Sequence, residues 1–292
     1  MIDLCNTSEL KKLLDRFGFQ FSKALGQNFI VNPGVCPRIA EESGITGGSG
    51  VIEIGPGFGV LTQQLALRAK KVVCIELDER LPDVLAVTLH GLDNVEVVTG
   101  DVLKTDLNAL IAEKFADCED VHVCANLPYY ITSPVIMALL ESRLPVKAIT
   151  VMVQKEAAER MCAPVGSRDS GAVTVAVNYY AEAKKLFEVS AGSFMPAPKV
   201  DSAVMRLTVR EQPPVAVKDE AFFFKTVRAA FGQRRKTASN SVSAGLGIGK
   251  AVVGEALERC GFAPAVRAES MTMEELAKLS DTLLTLISEK QA

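Results

Sequence analysis

Residues 51–62 read VIEIGPGFGVLT. A β-branched apolar run ends abruptly in glycines at 55, 57 and 59, followed by residues that suit a helix. Glycine at the end of a strand lets the backbone turn tightly and approach a ligand closely, and the next helix offers unpaired N–H groups. A strand, a glycine turn and a helix together open a βαβ unit, so the text around them should repeat that alternation. It does. KVVCIEL, VEVV, VHVCAN and AITVMV follow as short apolar runs separated by helical stretches, which predicts a mainly parallel sheet.

The ends of those runs are polar at a regular interval. Glu76 closes the second run, 21 residues after Gly55; Asp101 follows 25 residues later and Asn126 another 25. In an open parallel sheet the carboxyl ends of neighbouring strands lie side by side, and ligands bind in the crevice outside them. A carboxylate at Glu76 suits the two hydroxyls of a ribose. The glycine spacing is G-x-G-x-G and not the G-x-G-x-x-G of nicotinamide enzymes, which favours a nucleoside cofactor without a pyrophosphate. S-adenosylmethionine (SAM) is such a cofactor; a nicotinamide dinucleotide is the alternative.

Outward from this centre, NTSELKKLLDRFGF predicts a leading helix capped by Thr7 or Ser8 and stopped at Gly18. An amide-rich loop, QFSKALGQNFIVNPG, comes next. AKKLFEVS and DSAVMRLTV read as two late antiparallel strands around the segment AGSFMPAPK. Pro213-Pro214 cannot continue a ladder and marks a boundary, beyond which the text is helical. The predicted organisation is therefore residues 1–211 as an arm plus an α/β domain, and 212–292 as a small all-helical domain.

Composition narrows the function classes. The chain has 292 residues, 48% of them apolar, enough for a large core. A net charge of −3 excludes a uniformly basic coat, so any polyanion must meet a local patch. That patch is KTVRAAFGQRRKT, where Lys225, Arg228, Arg234, Arg235 and Lys236 fall within 12 residues. The seven cysteines form no C-x-x-C pair and the two histidines no H-x-x-x-H, so no metal is expected. Without a signal peptide or an apolar run near 18 residues, the reading is a cytoplasmic protein that does not enter membranes.

The ordered set LGQNFIVNP, EIGPGFGVLT, ELD, GD, NLPYYITSP, FMPAPKVDSAV and RAAFGQRRKTASN resembles the small-subunit (16S) ribosomal RNA adenine dimethyltransferase family, from about residue 20 to the end. The resemblance implies a Rossmann-like SAM-dependent methyltransferase domain followed by a helical domain that helps bind RNA. Its implied substrate is 16S rRNA in an assembling small subunit, where two adjacent adenosines of the 3′-terminal hairpin loop are each methylated twice by a monomeric enzyme. Related readings are a 23S rRNA methyltransferase of the macrolide-resistance type and a non-enzymatic assembly or transcription factor of the same fold.

By the same resemblance, Asn28, Ile30, Gly55, Glu76, Asp101 and Asn126 hold the cofactor, with Gln27 alongside. Ile30 stands where the family more often has Leu, and Val31-Asn32 where an acidic residue often ends the motif. The Asn126 side-chain carbonyl and the Leu127 backbone carbonyl can accept both N–H groups of an adenine amine and turn its lone pair towards the methyl. Tyr129 offers a stacking face, Tyr130 is expected to cap the core, and Phe194 occupies the place of an aromatic against the target base. Pro196 and Pro198 stiffen that loop, where Lys199 can meet a phosphate.

Overall fold

The computed structural model describes residues 3–19, 26–233 and 235–291, and the chain divides into two compact units: 1–158 with 182–209, and 159–181 with 210–292. The strands are β1 (Phe29–Ile30), β2 (Ser49–Ile54), β3 (Lys71–Glu76), β4 (Val95–Thr99), β5 (Asp120–Asn126), β6 (Ala148–Gln154), β7 (Ala181–Val189), β8 (Phe194–Met195) and β9 (Ser202–Val209).

Seven of them form one sheet in the order β4-β3-β2-β5-β6-β9-β7. The pairs β2–β3, β3–β4, β2–β5 and β5–β6 are parallel, and β9 runs antiparallel to β6. Starting from β2, the chain builds outward to β4 and then returns to lay β5 on the other side of β2. The order thus reverses between β2 and β5, and a crevice opens outside their carboxyl ends. All of β2 and most of β3, β5 and β6 are buried, as continuous apolar runs require when helices cover both faces. The edge strand β4 is half-exposed.

One core cluster joins Ile39, Leu61 and Leu65 to Val51, Cys74, Cys124, Met152 and Val204 of the sheet. A second joins Leu10, Leu13 and Leu14 of the leading helix to Phe29, Phe58, Val84 and Leu85. That helix spans Thr7–Arg16, and Gly18 ends it with φ +60° as expected. Its cap is Asn6, however, whose Oδ1 accepts from the N–H groups of Ser8 at 3.0 Å and Glu9 at 3.3 Å. Asn and Ser cap about equally well, so the register of the apolar stripe decides between adjacent candidates.

β1 and β8 form a separate two-stranded ribbon that periodicity could not announce; Ile30 faces Phe194 and Phe29 faces Met195. It ties the amide-rich loop to the FMPAPK segment.

In the second unit, helices span Ala172–Tyr180, Glu220–Phe231, Ala238–Leu246, Lys250–Cys260 and Met273–Gln291. This unit reaches back to residue 159, earlier than the Pro213-Pro214 boundary suggests. The reason is aromatic: Tyr180 stacks on Phe224 at 5.4 Å and Tyr179 meets it edge-on at 5.1 Å. Both hydroxyls also donate to the Glu220 carboxylate, at 3.2 and 2.8 Å. No helix among the described residues is long and apolar enough to cross a membrane.

Candidate active site

β2 ends at Ile54, and the Gly55 N–H still bonds the Ile75 carbonyl at 2.9 Å before the chain turns. Gly55 has φ +66°, and a Cβ there would meet nothing within 4 Å, so bare backbone faces open space. Gly57, with φ +60°, is needed for another reason: a Cβ would sit 2.9 Å from the Phe29 ring. Phe29 in turn stacks on Phe58 at 3.9 Å, and this pair sets the height of the loop.

Glu76 is the last residue of β3 and is 6% exposed. Its Oε1 accepts from the Asp78 N–H at 2.8 Å and its Oε2 from the Gly57 N–H at 3.4 Å. Burial pushes the carboxyl above the usual range, while those two backbone donors pull it back. Each oxygen retains acceptor capacity, which is what a vicinal diol needs. Beyond β4, Asp101 accepts from the Leu103 N–H at 3.0 Å and has Lys104 Nζ 3.7 Å away.

Asn126 ends β5, and its Nδ2 donates to the Asn28 backbone carbonyl at 3.1 Å. That bond uses one of the two amide N–H groups, fixes which end of the amide is the nitrogen, and leaves Oδ1 as an acceptor for a ligand. The Leu127 N–H is held by the Met152 carbonyl at 3.1 Å, Pro128 turns the chain with φ −56° and ψ 133°, and a short 3-10 turn spans Tyr129–Ile131. The half-buried Tyr129 is anchored by its hydroxyl, 2.7 Å from Ser202 Oγ at the start of β9. Burial raises its phenol above the ordinary value.

Asn28, Ile30, Gly55, Glu76, Asp101, Asn126, Leu127, Tyr129 and Phe194 all line one cleft, which encloses about 1120 Å³ including its open mouth. Ligand pockets of roughly 300–1,000 Å³ take drug-sized molecules, so a nucleoside cofactor and a base can share it. Phe194 enters from β8, is 5% exposed and belongs to the core cluster with Ile30. Tyr130 corrects the expectation that it caps the core: it is 58% exposed and lines the mouth of the cleft. A Tyr-Tyr pair after a strand carries no periodic signal to say which ring turns inward.

Glu53, which precedes the glycine turn and had no site role in the sequence, lines the same cleft and is 1% exposed. Burial drives its carboxyl from 4.5 up to about 7, against hydrogen bonds from Thr62 and Cys74. The folded chain therefore holds this proton more tightly than the unfolded chain. The resulting stability is complete below pH 4.5 and disappears as pH rises through about 7. In urea unfolding, the native protein should lose about 3 kcal/mol relative to Glu53→Gln across that window. A parallel pH dependence in the two proteins would contradict this assignment.

The basic residues occupy other places. Lys199 is exposed in the first unit, between β8 and β9. In the second unit, Lys225 and Arg228 project from the face of helix Glu220–Phe231 opposite its buried Phe223, Phe224 and Val227. They line a groove together with Gly232, Gln233, Ser241, Ala244 and Gly245. Arg235 and Lys236 are exposed in the turn that follows, and Arg234 lies outside the described residues. None of Lys225, Arg228, Arg235 and Lys236 has an acidic partner among the described residues. No group of three or more His, Cys, Asp or Glu residues that could hold a metal occurs among the described residues.

The profile of the family described as "Ribosomal RNA adenine dimethylase" matches residues 18–283. A protein of Geobacillus thermodenitrificans named ribosomal RNA small subunit methyltransferase A is 50% identical over 287 residues, covering 97% of this chain and 98% of its own. The crystal structure of a dimethyladenosine transferase from Plasmodium falciparum has a TM-score of 0.72 at 28% identity, covering 90% of this chain and 98% of that one. That of the 23S rRNA methyltransferase ErmE has a TM-score of 0.65 at 28% identity, covering 88% and 99%.

Proposed function

The chain belongs to the ribosomal RNA adenine dimethylase family, and from that membership we propose that it carries two methyl groups to N6 of each of two adjacent adenosines in the 3′-terminal hairpin loop of 16S rRNA. The donor is SAM, the methyl donor of this family. The enzyme acts as a monomer in the cytoplasm, on a small subunit still in assembly.

The residues fit the cofactor. The open space above Gly55 and the acceptor set of Glu76, Asp101 and Asn126 suit a nucleoside with a short charged tail, and Val60 stands where the G-x-G-x-x-G turn of pyrophosphate binders has its third glycine. Asn28 and Ile30 border the same space. Bound there, SAM supplies an electrophilic methyl on a sulfonium.

The observation that carries the reading is the orientation of the Asn126 amide. With Nδ2 committed to the Asn28 carbonyl, Oδ1 is left to accept an adenine N6–H. The Leu127 carbonyl is the second acceptor. Together they withdraw the N6 lone pair from ring delocalisation and set it towards the methyl, which is electrostatic positioning rather than acid–base catalysis. After the first transfer N6 has lost one proton to solvent, one N–H remains, and either acceptor can take it. The base must leave its stack to arrive, and Tyr129 receives it on a ring already fixed by Ser202, with Phe194 behind. Tyr129→Ala should lower kcat/KM for RNA about 10- to 100-fold, the worth of one base stack. Tyr129→Phe should keep it within about threefold, because the face stays; equal losses in the two variants would assign the role to the hydroxyl.

The cations Lys225, Arg228, Arg235 and Lys236, without an acidic partner among the described residues, supply contacts to the RNA backbone, with Lys199 contributing from the first unit. The test is incubation with labelled SAM and either small or large subunits lacking the modification. Label in the small subunit supports the proposal. Label confined to the large subunit would favour the 23S activity named for the structural neighbour.

A further inference from the structure

The segment Gly26–Asn28 meets the site at three points. Gly26, with φ +59°, lies against the ring of Tyr130, so close that a Cβ would stand 3.2 Å from its Cε1. Gln27 Nε2 donates to Asp78 Oδ2 at 2.8 Å. The Asn28 carbonyl accepts from Asn126 Nδ2 at 3.1 Å.

Asp78 is itself a junction. Its N–H donates to Glu76 Oε1 at 2.8 Å, and its carboxylate receives Arg80 through Nε at 2.8 Å and Nη2 at 2.6 Å. The Arg80 guanidinium also lies 4.7 Å over the Phe19 ring. Asp78 is 6% exposed, so its geometry is set by these partners and not by water.

An asparagine amide has two nearly isosteric orientations. Turned round, Asn126 would bring Oδ1 against the Asn28 carbonyl oxygen and present N–H groups to an adenine amine. The Asn28 carbonyl selects the productive orientation, and its own position depends on what holds the backbone of residues 26–28. We propose that Gln27 and Asp78 are positioning residues: their hydrogen bond braces this segment, so that the Asn28 carbonyl holds the Asn126 amide with Oδ1 towards the target base. The brace also joins the cofactor carboxylate Glu76 to the base-binding amide. The inference rests on the adenosine reading given above.

The test is the series Gln27→Lys, Gln27→Leu and Gln27→Glu in the full chain. Lys keeps an N–H donor for Asp78, Leu removes it, and Glu opposes the carboxylate with another. The dissociation constant of SAM, measured by calorimetry without RNA, should rise less than threefold for Lys, about tenfold for Leu and further for Glu. At saturating SAM, kcat on small subunits should fall in the same order, with KM for the subunit within about twofold of native. The thermal midpoint should stay within about 3 °C throughout, as the loss of one hydrogen bond allows in a chain of this size. Native affinity and kcat in Gln27→Leu would overturn the inference, and so would equal losses in Lys and Leu, which would indicate packing. If the native protein transfers no methyl to adenosine, the functional reading fails instead, and the order of SAM affinities still decides the brace.

Discussion

Asn126→Ala is expected to lower kcat/KM for small subunits about 10³-fold while the fold survives, the scale seen when one preorganised polar group is removed from a reacting centre. The side chain is at the surface of the cleft and its one hydrogen bond among the described residues is to the Asn28 carbonyl, so truncation opens no core cavity. What disappears is the acceptor proposed to localise the N6 lone pair. SAM affinity should fall only severalfold, because Glu76, Asp101 and the Gly55 turn remain. Asn126→Asp separates the two halves of the role. It keeps an acceptor oxygen but replaces the donor to Asn28 by a charge facing a carbonyl, and an intermediate loss of about 10- to 100-fold should follow. Rates of label incorporation measure all three proteins. A non-enzymatic factor of this fold would behave differently: the cellular phenotype would survive Asn126→Ala intact.

Glu76→Ala should raise the dissociation constant of SAM by at least about 100-fold, read by calorimetry. Two hydrogen bonds from ribose hydroxyls to a buried carboxylate are lost, each of the charge-assisted kind that contributes about 1.5–3 kcal/mol. The Gly57 and Asp78 N–H groups also lose their acceptor, and the glycine loop loosens with them. Glu76→Gln keeps the shape and one acceptor, so about tenfold is expected. The carboxyl is pushed above the ordinary Glu range by burial. It therefore takes up a proton at a higher pH than an exposed Glu, and native affinity should decline as pH falls towards the acid range. Glu76→Gln should show no such decline; an identical pH profile would remove Glu76 from the ribose.

Much of this site was legible because the sheet translates sequence spacing into position. Gly55, Glu76, Asp101 and Asn126 each follow an apolar run, and parallel pairing of β2 with β3 and β5 sets three of those ends side by side. What was not legible depends on contacts too short or too distant to leave a period. The two-residue ribbon β1–β8 brings Ile30 opposite Phe194 across 164 residues, and no alternation can be read from two residues. AVTVAVNYY is rich in β-branched and aromatic residues, yet Ala172–Tyr180 is a helix, because Tyr179 and Tyr180 pack on Phe223 and Phe224 far along the chain. The Asp78 junction was visible only as the third letter of ELD. Its importance comes from Gln27, 51 residues away, and that pairing belongs to the folded arm.

In the proposed mechanism, Asn126 and its neighbours hold an adenosine of small-subunit RNA for two successive methylations. Mass spectrometry of nucleosides and fragments from small subunits incubated with SAM and the native protein, or with Asn126→Ala, tests it directly. Two adjacent N6,N6-dimethyladenosines in the 3′-terminal hairpin loop are expected with the native protein, and unmodified adenosines with the variant. Methyl groups on any other base, or dimethyladenosine formed at native rate by Asn126→Ala, would contradict it.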